Sequence, residues 1–352
     1  MGLIWSMQCR EAGPPPAGAS IRRADPWSIE VCAKAESTVL ATVTLERLFA
    51  GPGVLRDEIR EEGLVATLFT PPSPGSYPVV VHLSGSQGGF NEQVAALYAS
   101  HGFAGLALAY FGIESLPLDM VEIPLEYFDR AFQWLRRRGL VSQAGIAVTG
   151  ASKGGELALL LGATFPDVRC VIAYAPSGVV HAAESVDSTR RGRSTWSFGG
   201  KALPCVQFDP SRVDWRASAV VLRPGFLAAL EDAERVQGAT IPVERTNGPI
   251  LLISGGADQL WPSRVRAEIV IKRLNQHQFA YPYEHLCYEE AGHNISLPPY
   301  RPSITGPVHH PIANLRFDLG GTTKANAHAI EDSWKQVLHL LSSTMQEQRG
   351  SV

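Results

Sequence analysis

From about residue 63 onward, short apolar runs alternate with stretches whose apolar residues recur every three or four positions. The runs at 64–69, 79–83, 105–110, 145–150, 171–174, 249–254 and 286–289 predict strands. The stretches 91–100, 124–138, 263–276 and 326–343, and the Leu/Ala-rich run after 152, predict helices; in the second, Leu125, Phe128, Phe132 and Leu135 are spaced for one buried face. Continuously apolar strands alternating with amphipathic helices imply a mostly parallel sheet covered by helices on both faces, an α/β fold. Two further β-type runs, 29–31 and 39–45, precede this pattern, and two strands are too few for a stable unit. They predict a short N-terminal β segment over 1–62 that packs on the larger body or on a partner. The alternation stops between about 177 and 245, where only 226–237 reads as helical. That is too long for an ordinary connection and predicts an insertion over the site of a domain spanning 63–345, with 346–352 as a tail.

Composition narrows the class. The 352 residues are 45% hydrophobic and 18% charged, with a net charge of −3, which describes a soluble globular protein with a large core. With no basic stripe or long charge run, neither a nucleic-acid nor a membrane partner is expected; Arg136-Arg137-Arg138 reads as a solvated helix end. The five cysteines, at 9, 32, 170, 205 and 287, are odd in number and form no Cys-x-x-Cys pair. This usage suits a reducing compartment, with the cytoplasm as the default. Cys170 and Cys287 lie in apolar runs as small hydrophobes, so neither disulfides nor zinc are expected. No apolar stretch is long enough to span a bilayer, and no signal-like segment opens the chain. Met1-Gly2-Leu3-Ile4-Trp5-Ser6 fits a myristoylation pattern, which is discounted below.

The chemistry centres on Gly150-Ala151-Ser152-Lys153-Gly154, a Gly-x-Ser-x-Gly between a predicted strand and a predicted helix. At such a nucleophile elbow the serine is held in a strained turn that lifts its hydroxyl above the sheet. The pattern also arises by chance, an Asp after Gly-Gly is most often a turn residue, and a lone His is most often solvated. Joint placement changes the weighting. Asp258 follows the strand ending at 254, and His293 follows the strand ending near 289, in the order Ser, Asp, His that an α/β-hydrolase requires. An imidazole must take the proton from serine, and a carboxylate must orient that imidazole; Ser152, His293 and Asp258 are therefore the candidate catalytic residues. The oxyanion hole is expected from the backbone N–H of Lys153 and of Ser86 or Gln87, in the loop after the strand at 79–83. That loop lacks Gly-x-Gly-x-x-Gly and a following Lys-Ser/Thr, which argues against nucleotide binding there. His309-His310 imitates a metal pair, but adjacent histidines point apart and no carboxylate or cysteine stands at ligand spacing. No metal and no cofactor is called for.

Several segments around these residues carry a family likeness: Gly-Ser-Gln-Gly-Gly at 85–89, Ala109-Tyr110-Phe111 with Leu116-Pro117, Leu125-Glu126-Tyr127-Phe128, Ser152-Lys153-Gly154-Gly155-Glu156-Leu157, and Ile241-Pro242-Val243-Glu244-Arg245. Gly292-His293 with Pro298-Pro299-Tyr300, Gly320-Gly321, His328-Ala329 and Trp334-Lys335 continue it. From about 64 to 341 the chain resembles the C-terminal catalytic domain shared by the type I acyl-CoA thioesterases and the bile acid-CoA:amino acid N-acyltransferases. Residues 1–7 resemble the middle of that family's N-terminal β-sandwich, which implies a truncated N-terminal domain and sets myristoylation aside. Within the family the transferases carry cysteine at the nucleophile position and the thioesterases serine; Ser152 implies hydrolysis. An O-acyl ester is a poorer aminolysis substrate than an S-acyl one and is left for water. Departures are His82 where the family has Asp, Ser84 where it has Phe, and the 187–206 stretch.

The expectation is a serine hydrolase cleaving an acyl-CoA thioester to free acid and CoA through an acyl-serine intermediate. Its rivals are an acyltransferase to an amine or alcohol (or one closing a lactone), a carboxylesterase or dienelactone-type hydrolase, and a non-catalytic binding protein on the same fold.

Overall fold

Eight of the strands join in one sheet. The computed structural model describes residues 4, 6, 7, 21–183, 185, 187–296, 298–310 and 315–345; Cys9, most of the 1–7 segment and the 346–352 tail lie outside them. The sheet strands are β1 (Leu55–Ile59), β2 (Val65–Thr70), β3 (Tyr77–Leu83), β4 (Ala104–Ala109), β5 (Val141–Ala151), β6 (Val168–Tyr174), β7 (Ile250–Gly255) and β8 (Tyr283–Tyr288), in the order β8-β7-β6-β5-β3-β4-β2-β1. Pairing is parallel from β8 to β4, and β2 runs antiparallel to both β4 and β1.

The period of two along a strand sorts its side chains between two cores. Val79, Val81 and Leu83 of β3 point to one face, where α2 (Glu126–Arg137), α3 (Lys153–Thr164) and α4 (Ser263–Gln276) contribute Phe128, Phe132, Leu157, Leu161, Val270 and Leu274. Val80 points to the other, with Ala147, Ile172 and Ile253, beneath Tyr98 of α1 (Glu92–Ser100) and Ile330, Val337 and Leu341 of α5 (Thr323–Met345). Both faces are dry, which is why these strands read as unbroken apolar runs. Among the described residues no helix is long and apolar enough to cross a membrane.

Two expectations need correction. The sheet begins before residue 63: β1 pairs with β2 at the edge, and its exposed Arg56-Asp57-Glu58 hid it from an apolar pattern search. The helix expected over 226–237 is two short ones, Arg223–Ala228 and Ala233–Ala239. Asp232, extended at φ −84°, ψ 92°, restarts the second by accepting the amide of Arg235, so the chain turns between them.

The N-terminal β runs form a hairpin, Trp27–Ala35 against Thr38–Arg47, whose second strand is largely solvent-exposed. It meets the body where Trp27 packs edge-on against Phe49 and where Arg47 donates to the Pro299 carbonyl at 2.7 Å.

Candidate active site

Parallel strands place their following loops on one edge of the sheet, and the expected site residues all lie in such loops. Ser152 follows β5, Asp258 follows β7, His293 follows β8, and Ser86 and Gln87 follow β3.

Ser152 has φ 57° and ψ −120°, a backbone conformation that a side chain adopts only under constraint. The constraint is visible in its hydrogen bonds. Its N–H donates to Tyr174 O of β6 at 2.9 Å, and its carbonyl accepts Gly155 and Glu156 N–H at 2.9 and 3.0 Å as α3 begins. The elbow is also pressed against its neighbours: a Cβ on Gly150 would stand 2.2 Å from Gly154 O, and one on Gly154 would stand 2.5 Å from Ser84 O and 2.6 Å from Leu83 O. Only glycine fits at either position.

His293 and Asp258 meet. Nδ1 of His293 and Oδ2 of Asp258 are 2.8 Å apart, with Asp258 almost wholly buried. Oδ1 of Asp258 accepts the N–H groups of Leu260 and Trp261, both at 3.0 Å, and Trp261 Nε1 donates to Ala175 O at 2.9 Å. The carboxylate thus has one oxygen tied to the backbone and the other turned to the imidazole, which leaves Nε2 as the ring nitrogen available for proton transfer.

The loop after β3 lies directly over the elbow, for a Cβ on Gly85 would sit 3.0 Å from Ala151 O and 3.4 Å from Ser152 Cβ. Tyr110 Oη donates to Ser84 O at 2.6 Å and pins the loop's start. A cavity of 340 Å³ opens here, lined by Ser152, His293, Ser86 and Gln87, with an apolar wall that includes Leu260, Ile304, Val308 and Phe317. Its size is in the range of small-molecule sites.

Lys153 follows Ser152 as the first residue of α3, and its side chain is buried. There its ammonium lies 2.7 Å from Glu156 Oε1, which also accepts Trp196 Nε1 at 2.8 Å. The insertion is therefore fastened to the elbow helix through a buried charge pair.

Four residues of the cavity escaped the sequence reading. His310, dismissed with His309 as a false metal pair, comes from the strand Val308–His310 and stands with Nε2 3.0 Å from Ser86 Oγ. His82, whose replacement of Asp was noticed but given no role, lines the cavity with its Nδ1 buried and without a hydrogen-bond partner. Burial and the nearby Arg22 charge push it down to about 3, so it is neutral at physiological pH. Arg301 lines the cavity with Arg22, and no local sequence signal marks either arginine. Among the described residues no group of three His, Cys, Asp or Glu is placed to hold a metal ion. Cys170 is fully buried and its thiol is pushed up to about 12 by burial, in keeping with a packing role.

With this geometry in view, comparison with known proteins is informative. The family model described as BAAT / acyl-CoA thioester hydrolase C terminal matches residues 123–347. Acyl-coenzyme A thioesterase 1 of Rattus norvegicus is 33% identical over 341 residues, covering 96% of this chain and 77% of that protein. Acyl-coenzyme A thioesterase 6 of Homo sapiens is 31% identical over 348 residues, with the same two coverages of 96% and 77%. Among solved structures, a puromycin-hydrolyzing peptidase of Mycobacterium tuberculosis superposes with a TM-score of 0.52 at 15% identity, over 89% of this chain and 43% of that one. The acylaminoacyl peptidase of Pyrococcus horikoshii gives 0.51 at 11% identity, over 85% and 42%. At such identities the structural likenesses speak to the fold, which is that of an α/β-hydrolase.

Proposed function

This chain belongs to the BAAT / acyl-CoA thioester hydrolase C-terminal family, and from that premise we propose that it is a hydrolase of acyl-CoA thioesters working through Ser152, His293 and Asp258. The observation that carries the residue assignment is the strained Ser152 sharing a cavity with an imidazole already paired to a buried carboxylate. Ser152 Oγ attacks the thioester carbonyl while His293 Nε2 takes its proton, and Asp258 stabilises the imidazolium that forms. The oxyanion is received by the backbone N–H of Lys153 and of Ser86 or Gln87. The carbon–sulfur bond breaks, CoA leaves with the proton returned by His293, and the acyl group remains on Ser152. His293 then deprotonates a water that attacks this ester, releasing free acid and restoring the serine.

A serine at the nucleophile position supports hydrolysis over acyl transfer, because the oxygen ester is less activated toward an amine than a thioester would be. In domain terms we read the catalytic unit as starting with β1 at Leu55 rather than at 63 and running to 345, with the insertion at 177–245 packed against the elbow helix and the residues before β1 as an N-terminal β segment. The odd cysteine count without Cys-x-x-Cys supports a reducing compartment, and we assign the cytoplasm.

The test is thiol release from a panel of acyl-CoAs, acetyl to long-chain, branched and aromatic, with Ser152→Ala as the blank. Serine-dependent release is expected from at least one chain class. A silent panel with Ser152 still labelled by a fluorophosphonate would reject CoA thioesters as the donors.

A further inference from the structure

The loop after β3 passes so close to the elbow that a Cβ on Gly85 would stand 3.4 Å from Ser152 Cβ, and the next side chain in that loop is a hydroxyl, Ser86, lining the same cavity. Ser86 Oγ is 3.0 Å from Nε2 of His310, a buried ring. The ring packs edge-on against Phe317, with centroids 5.7 Å apart, and Phe317 is buried among Val220, Leu222 and Trp261. The strand Val308–His310 pairs antiparallel with Leu315–Phe317, which is tied in turn to the insertion where Val220 N–H donates to Arg316 O at 2.8 Å. Two residues beyond Phe317, Leu319 O accepts the N–H of His293 at 2.8 Å. One braced segment therefore holds both the candidate base and the ring that meets Ser86. Gln87, beside Ser86, is exposed, and its amide oxygen accepts from Arg22.

A serine hydroxyl has one hydrogen and two lone pairs, and an imidazole can donate from Nε2. With Nε2–H donating to Oγ, the Ser86 hydrogen is left to point at a second acceptor. Attack by Ser152 creates that acceptor, because the carbonyl oxygen becomes negative inside the cavity that both serines line. A forming anion selects the arrangement in which the hydroxyl hydrogen faces it. We infer that the Ser86 hydroxyl is a catalytic side chain, a third donor to the oxyanion beside the two backbone N–H groups, and that His310 is its positioning residue. No proton is transferred between them: His310 keeps the hydrogen on Nε2, Ser86 keeps its own, and the two bonds strengthen in series as charge develops. A hydrogen bond made only as charge develops lowers the barrier without tightening substrate binding. The inference rests on Ser152 being the nucleophile and adds to the thioesterase reading two residues outside the triad.

Two measurements test this. In acyl-CoA turnover, Ser86→Ala, which keeps the backbone N–H, should lower kcat about 10²-fold with KM within about twofold, and Ser86→Thr, which keeps the hydroxyl, should recover most of the loss. His310→Phe should lower kcat about tenfold in the native background and by nothing further in Ser86→Ala, whereas His310→Gln, which retains an N–H donor, should recover part of it. The second measurement needs no turnover. It compares, by fluorine NMR and calorimetry, the binding of trifluoromethyl hexyl ketone with that of methyl hexyl ketone. The activated ketone takes Ser152 Oγ at its carbonyl carbon; the carbonyl electron pair moves to oxygen and the serine proton to His293, giving a bound oxyanion. Ser86→Ala should weaken the trifluoromethyl ketone about 10²-fold and leave the methyl ketone within about twofold. Native kcat in Ser86→Ala, a loss carried by KM, additive losses in the double variant, or equal weakening of both ketones overturns the inference. Silence on every CoA ester, with the two ketones still told apart by Ser86, would reject the thioesterase reading and keep this assignment. A native protein that forms no adduct on Ser152 overturns both.

Discussion

Asp258 reaches His293 with one oxygen, at 2.8 Å from Nδ1, and holds two backbone amides, Leu260 and Trp261, with the other. This division fixes the carboxylate in orientation as well as position. Asp258→Asn should keep the amide contacts through its carbonyl oxygen while presenting an NH₂ to Nδ1, which forces the wrong imidazole tautomer. The expected result is a fall in kcat of about 10⁴-fold with little change in the unfolding midpoint. Native-like turnover in a folded variant would remove Asp258 from the mechanism.

The strained backbone at Ser152 sets stability against activity. Ser152→Gly should abolish acyl-CoA hydrolysis and, because glycine accepts φ 57° without strain, raise stability by about 1 kcal/mol. Urea unfolding of the two proteins side by side checks this; a clearly lower midpoint in the variant would show that the turn is not under strain.

Close approach rather than flexibility explains the glycine at 154. An added Cβ would meet the Ser84 and Leu83 carbonyls at 2.5 and 2.6 Å, and backbone cannot yield as a side chain can. Gly154→Ala should cost about 3 kcal/mol or more and pull the loop after β3 away from the elbow. Gly238→Ala is the contrast: it lies in the helix Ala233–Ala239 with nothing within 4 Å of the new methyl, so it should gain about 0.5–1 kcal/mol. Equal effects at the two sites would contradict the packing described.

Acid sensitivity follows from His82. Its folded value near 3 lies below the roughly 6.5 of an unfolded histidine. Between those values the unfolded chain binds a proton that the native protein refuses, so stability is complete above about pH 6.5 and falls as pH drops toward 3, by up to about 1.4 kcal/mol per unit. His181, lowered by burial and by the Arg266 and Lys153 charges, acts in the same direction. Urea midpoints measured at about pH 7.5 and about pH 5 should differ less in His82→Gln than in the native protein, and an identical slope would assign the effect elsewhere.

Much was decided locally. The buried centres of β3, β5, β6 and β7 (79–81, 146–148, 170–174 and 250–253) are apolar runs because both faces of the sheet are covered, so burial wrote them directly into residue type. The order Ser152, Asp258, His293 was also readable, since each residue directly follows an apolar strand and parallel strands send their loops to one edge. β1 was not readable: an edge strand with one solvated side can be charged, as at Arg56-Asp57-Glu58. The break in the helix expected over 226–237 turned on a single capping carboxylate, Asp232.

The amino-acid sequence by itself determined the fold class, the strand-to-helix turn at Ser152 and the strand-end positions of Asp258 and His293, because these depend on residue periodicity, on glycine where a Cβ cannot fit, and on loop position relative to a strand. Only the tertiary structure decided what else faces Ser152. His310 stands against Ser86 across 224 positions of chain, and Arg22 and Arg301 enter one cavity from opposite ends of the sequence. Such meetings are set by how the N-terminal strand and the loop after His293 fold back over the sheet edge, and no short-range pattern encodes that.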